Sequence, residues 1–363
     1  MPQGFVRQVE HDHDHNEGVD GSGEGEVKYS GKYCMHGSVY DESKRSEEGG
    51  DPFDSLITGL SRVTNQPKRS VFLCPSGMQA IHAALRLSRR ARMEKGKKPG
   101  SAVVYGFPYL DTLKMCGRRE LSDGVEFFGF GDVRDLNALK FLLSSRKALS
   151  EDDDSGVACL ITEFPSNPLL NIPDITELRR LADEHDFVLV VDDTIGNFAN
   201  VDLLKGGFAD VVCTSLTKIY NGRGDAIAGS LIVGSEGRRF EELTSLMNVI
   251  HDGNNGALYV QDANAVARNS VDFLERSAKI NETTEKLADW LKGREEVKKI
   301  YYPKFTQPEL YSKFLVRGQG AAGGYGGLFS IILGRDVCER TFYDELNVSK
   351  VREKGRIRVK QKS

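Results

Sequence analysis

No apolar run in the 363-residue chain approaches the ~20 residues that a bilayer-spanning helix needs, so a membrane partner is not expected. Positive charge is not in surplus: 49 Lys and Arg face 53 Asp and Glu, a net charge of −4. That balance argues against a general binder of nucleic acid. The N-terminal stretch has no apolar core of a signal peptide and too many acids for a transit peptide, so a cytoplasmic location is expected. Cysteine is sparse: Cys34, Cys74, Cys116, Cys159, Cys213 and Cys338 include no CxxC pair, and several lie in apolar strand-like runs. Buried reduced thiols are expected rather than a disulfide frame. The run His11-Asp12-His13-Asp14-His15 alternates possible metal ligands, yet its Gly- and Glu-rich surroundings have no apolar periodicity, which predicts a solvated arm and no metal.

Past a polar arm of about fifty residues the pattern changes. Val71-Phe72-Leu73-Cys74 reads as a strand, followed by Pro75-Ser76-Gly77 and helical spacing at Met78, Ile81, Ala84 and Leu85. Strands are then expected at 102–105, 125–128, 157–164, 187–191, 210–214 and 228–233. Helices are expected at 111–116, 133–143, 175–184 and over the long stretch 257–292. Short strands alternating with helices predict an α/β fold, a mixed, mostly parallel sheet with helices on both faces. Residues 300–303 and 326–333 look like the opening of a further α+β unit. In such sheets ligands bind beyond the carboxyl ends of the strands.

Several chemically suggestive residues fall at those ends. Ser76-Gly77-Met78 joins the first strand to a helix, a junction that serves a phosphate or a plain N-cap equally well. Tyr109, after Phe107-Pro108, could be core or a stacking platform, and Asn167 sits between Pro165 and Pro168 in a turn. Asp192 and Asp193 end an apolar strand just before Thr194, where a charge needs a partner. A protonated pyridine nitrogen, a metal and a helix cap are the candidates. Lys218 follows an apolar strand and the hydroxyls of Ser215 and Thr217, which alternate in direction from it and could both donate to one phosphate. Desolvation at such a place frees an amine to form an imine.

In this order the segments resemble the Cys/Met-metabolism PLP enzymes. The segments are Ser76-Gly77-Met78-x-Ala80-Ile81, Glu163-Phe164-Pro165-Ser166-Asn167-Pro168, Val191-Asp192-x-Thr194, Ser215-Leu216-Thr217-Lys218-x-x-Asn221-Gly222-x-x-Asp225, Tyr302-Pro303 and Gly326-Gly327-Leu328-Phe329-Ser330. The wording of residues 106–112 and 193–198 is similar to fungal cystathionine γ-synthase-like proteins. The resemblance implies the fold-type-I, aspartate-aminotransferase-like architecture and pyridoxal 5′-phosphate (PLP) as cofactor. It implies Lys218 as Schiff-base lysine and proton shuttle, Asp192 on the pyridine nitrogen, and Tyr109 stacked on the ring. Ser76, Gly77, Met78, Ser215 and Thr217 would hold the phosphate, with Asn167 near the ring hydroxyl and Thr194 beside the cofactor. It further implies γ-replacement on an O-acylhomoserine with cysteine, γ-elimination or a specialised γ-substitution being the alternatives, in a homodimer or homotetramer.

Two departures stand out. The family's upstream Tyr-x-Arg is matched only by Tyr40 and Arg45, with the wrong spacing. After Lys350 the chain leaves the family pattern, without its Ser-Leu-Gly stretch and carboxylate-clamping arginine, and ends in a basic tail with no packing pattern. The expected divisions are therefore an arm at 1–50, a PLP-binding domain at 51–295, the start of a truncated C-terminal domain at 296–350 and a non-family tail at 351–363. A truncated, inactive PLP-binding or assembly protein is the reading from another class, and lower stability than a chain with the full domain is expected. A nicotinamide-dependent Rossmann enzyme is excluded because no GxGxxG follows the first strand.

Overall fold

In the computed structural model, residues 50–148, 156–251, 258–317, 323–346, 349–353 and 356–360 are described. The His11–His15 run, Cys34, Tyr40 and Arg45 lie outside them. Helix α1, Pro52–Thr64, opens on Asp51, whose side chain accepts from the Phe53 amide, with a proline in its first turn. Leu56 and Leu60 on it are buried.

A seven-stranded sheet forms the centre, in the order β1-β7-β6-β5-β4-β2-β3. Its strands are β1 Val71–Cys74, β2 Ser101–Tyr105, β3 Val125–Phe128, β4 Val157–Glu163, β5 Val188–Asp192, β6 Val211–Ser215 and β7 Gly229–Val233. Strands β2 to β6 are mutually parallel, while β7 runs antiparallel to both β6 and β1. All seven residues of β4 are buried, as an apolar strand covered on both faces should be.

Two separate apolar cores cover the faces. One packs Leu73, Val103, Leu189 and Val191 under α1, α4 (Val133–Ala148), α5 (Ile175–His185) and α7 (Val260–Asn269). The other packs Val104, Ile161, Val190 and Cys213 under α2 (Gly77–Met93), α3 (Leu110–Cys116) and α6 (Phe240–His251). The expected mixed sheet with helices on both faces is present. Cys74, Cys116, Cys159 and Cys213 are free and buried as expected, whereas Cys338 is exposed.

Three expectations change in detail. The helical stretch expected at 257–292 is two helices, α7 and α8 (Phe273–Lys292). Of residues 326–333, read as part of a further α+β unit, only Ser330–Leu333 forms a strand: β9 pairs antiparallel with β8, Val297–Tyr301, outside the main sheet. A further cluster around Ala288, Leu291, Ile300 and Tyr302 lies under that pair. The basic tail, read as patternless, carries an antiparallel pair, β10 Ser349–Glu353 and β11 Arg356–Lys360. Its period-two alternation of Ile357 and Val359 with Arg and Lys is a strand signal that net charge obscured. Among the described residues no helix is long and apolar enough to cross a membrane, and no cluster of His, Cys, Asp and Glu could hold a metal ion.

Candidate active site

The parallel strands end at one edge, and a continuous chain of contacts runs along it. The 17-residue helix α2 begins there, capped by Ser76, whose hydroxyl accepts from the Gln79 amide at 3.2 Å. The amides of Gly77 and Met78 have no partner within the helix, and the helix dipole adds to their pull on an anion. Glycine is required at this start because a Cβ on Gly77 would fall 2.7 Å from that of Ser215, at the end of β6. From the other side, a Cβ on Gly229 would fall 2.7 Å from the Gly77 nitrogen and collide with the Ser76 carbonyl. Gly229→Ala is therefore expected to displace this turn. It should cost about 1–3 kcal/mol of stability and weaken binding of a phosphate-bearing ligand, measured by thermal unfolding and by ligand titration.

The next contacts lead across the sheet. The Ser215 amide donates to the Thr194 hydroxyl at 2.9 Å, and the Thr194 amide donates to Asp192 Oδ1 at 2.9 Å. Asp192 is the register partner of Glu163 on β4. Glu163 Oε1 accepts from the Tyr109 amide at 2.5 Å and its Oε2 from the Asn167 amide at 3.1 Å. The structure thus links Ser76, Gly77, Ser215, Thr194, Asp192, Asn167 and Tyr109, with Met78 in the first turn of α2. The Tyr109 side chain is 54% exposed, a ring facing outward rather than a core aromatic.

Lys218 lies in the turn after β6, its amide donating to the Ser215 carbonyl at 3.2 Å. Its side chain is exposed, so the desolvation expected from its place after an apolar strand is not supplied by this chain alone. The turn itself is tightly held. Asn221 donates to Asp225 at 3.0 Å, and Asn269 of α7 donates to both Asn221 and Asp225 at 2.9 Å. Arg276 of α8 donates to the Tyr220 carbonyl at 2.9 Å. Thr217 also departs from expectation: its hydroxyl donates to the Ala228 carbonyl and accepts from the Ala228 amide, at 3.2 and 3.1 Å. It braces the turn against the approach to β7 instead of standing free beside Ser215.

The carboxyls at this edge share one electrostatic condition. Burial pushes Asp192 above the ordinary range, against the opposing hydrogen bonds of Thr194. Burial, and then the charge of Asp192, pushes Glu163 up to about 8. Asp193 is also pushed up to about 8 by burial, but it points to the opposite face and accepts from the Thr214 hydroxyl at 2.5 Å. Strand alternation separates the two neighbours. Asp192 is at the edge where a ligand can reach it, and Asp193 is in the core. Glu163 had no role in the sequence reading, although an acid ending a wholly apolar strand is the same signal that drew attention to Asp192.

Comparison with known proteins identifies the family. The model of the Cys/Met metabolism PLP-dependent enzymes matches residues 66–354. The chain is 33% identical over 340 residues to the cystathionine gamma-synthase-like enzyme iboG1 of Amanita muscaria, covering 88% of this chain and 54% of that one. It is 35% identical over 315 residues to the cystathionine gamma-synthase of Saccharomyces cerevisiae, covering 82% and 47%. The chain thus spans about half the length of these curated relatives. The crystal structure of cystathionine gamma synthase from Xanthomonas oryzae pv. oryzae has the same fold, with a TM-score of 0.62 at 21% identity over 84% of this chain and 71% of that one. A family model over most of the described residues and curated relatives above 30% identity lead to one conclusion: the chain belongs to the Cys/Met metabolism PLP-dependent enzymes, whose cofactor is pyridoxal 5′-phosphate.

Proposed function

We propose that the protein catalyses γ-replacement on an O-acylhomoserine with cysteine, giving cystathionine. The carrying observation is the single edge that joins a helix start suited to an anion, a half-buried acceptor carboxyl and a lysine turn. The residues present fit PLP. The close approach of Gly77 to Ser215 leaves backbone amides open to a phosphate, and Asp192 is a half-buried carboxyl without a cationic partner among the described residues. When bound, the cofactor supplies an electron sink for charge developing on the substrate carbons.

The chain's residues have distinct tasks in this reading. Gly77, Met78 and Ser215 bind the phosphate, with Ser76 and Thr217 shaping the turns that present them. Asp192 holds the ring nitrogen protonated, and Thr194 orients Asp192 through its amide. Tyr109 covers the ring and Asn167 stands on its hydroxyl side. Lys218 attaches the cofactor and moves protons at Cα and Cβ of the substrate. In the net reaction the Cγ–O bond breaks and a Cγ–S bond forms. The acyl group leaves as its acid with the thiol proton.

The remaining parts of the reading concern the chain as a whole. Residues 51–295 form the cofactor domain and 296–350 begin a C-terminal one, supported by the separate β8–β9 sheet with its own apolar cluster. We also place the enzyme in the cytoplasm as a homo-oligomer. The test combines the purified chain, PLP and O-acetyl- or O-succinylhomoserine, with and without cysteine. Cystathionine should form only when cysteine is present. An oxoacid and ammonia formed equally with and without cysteine would identify elimination instead, and no turnover with either ester would sink the proposal.

A further inference from the structure

Glu163 has no part in the chemistry above, yet two loops of the site hang from it. Its side chain is buried at the end of β4, beside Asp192 on β5. Oε1 takes the amide of Tyr109, the residue that opens α3, and Oε2 takes the amide of Asn167, in the loop leaving β4. Among the described residues no cation contributes to its surroundings; Asp192 is the charge that faces it. Only the ionised carboxylate offers a full acceptor on both oxygens, since a protonated acid turns one of them into a donor. A buried carboxylate beside a second one is costly to ionise, and a cation placed at the pair removes much of that cost.

We propose that Glu163 is a positioning residue whose two oxygens tie the Tyr109 turn and the Asn167 loop to the end of β4, so that placing a cation against Asp192 also tightens the hold on both loops. The inference rests on the reading that Asp192 meets the protonated ring nitrogen. In the cofactor-free chain a proton on the Glu163–Asp192 pair competes with the clamp. In the loaded chain the ring cation offsets one negative charge, and Glu163 holds both amides. Tyr109 and Asn167, which lie on different segments, then take up their places together.

The test is residue-resolved amide hydrogen exchange at Tyr109 and Asn167 in the full-length chain, with and without cofactor, together with the visible circular dichroism of the bound cofactor. In the wild type, loading should slow both amides together by about tenfold or more. Glu163→Gln should lose this joint slowing and much of the dichroic amplitude while still carrying cofactor on Lys218. A purely structural role would lower stability without moving the dichroic band. Glu163→Gln with wild-type slowing and wild-type dichroism would overturn the proposal. Asp192→Asn supplies a second arm that does not depend on Glu163→Gln folding. With the opposing charge gone, both amides should already be slowed in the cofactor-free chain, and an unchanged pattern there would also overturn it. A wild-type chain that takes up no cofactor would count against the site assignment instead, and the cofactor-free Asp192→Asn comparison would still decide the clamp.

Discussion

Lys218→Ala is expected to remove the visible absorption of the lysine-bound cofactor and to lower turnover by about a thousandfold or more. In the proposed reading both losses have one cause: the same amine attaches the cofactor and carries protons to and from the substrate. Stability should change little, by about 0.5 kcal/mol or less, since the side chain is exposed and the turn is held by other residues. Asn221, Asp225 and Asn269 keep their hydrogen bonds in the variant, and Arg276 keeps its grip on the Tyr220 carbonyl. An absorption spectrum and a thermal melt of the same preparation check both halves. An unchanged visible band would show that the cofactor is attached elsewhere.

Asp192→Asn and Asp193→Asn should differ sharply although the residues are adjacent. In the proposed role Asp192 faces the ring nitrogen, so Asp192→Asn is expected to reduce kcat/KM by about a hundredfold to a thousandfold. Asp193→Asn should leave cofactor binding intact. The Asp193 carboxyl is pushed up to about 8 by burial, so at neutral pH it is largely protonated, and an amide can still accept from Thr214. Its effect on stability also has a definite sign. A folded-state value raised above the unfolded one means that the native chain binds the extra proton. Stability from this group is present below the unfolded carboxylate range and is lost as pH rises toward about 8. Asp193→Asn should therefore flatten that part of the pH–stability curve, read from chemical denaturation across pH. Equal losses of activity in the two variants would contradict the assignment of faces.

Much of this candidate site is legible in the chain itself. Wholly apolar strands such as Val188–Asp192 announce burial on both faces, and a polar or charged residue at their end announces the functional edge. Lys218, Asp192 and the Ser76-Gly77-Met78 junction are singled out in this way as candidates. The roles within the set were less legible. Thr217 carries the same hydroxyl as Ser215 and stands two residues away, yet a backbone segment eleven residues later claims it. Burial of Lys218 was inferred from its apolar neighbours in sequence, but the turn lifts the side chain to the surface. The tail was misread because its charge hid an alternation that pairs β10 with β11.

By itself, then, the sequence determined the elements, their α/β class and the chemical inventory at the strand ends, because periodicity and side-chain type are local properties. Only the tertiary structure decided which of those groups meet. The pairing of Glu163 with Asp192 depends on the register of two strands, and the nearness of Gly77 to Ser215 depends on a helix packing across the sheet. Such contacts join residues far apart in the chain, and a single sequence carries no local signal of them. For the same reason the tertiary structure showed Glu163 to be the carboxylate from which two loops of the site are hung.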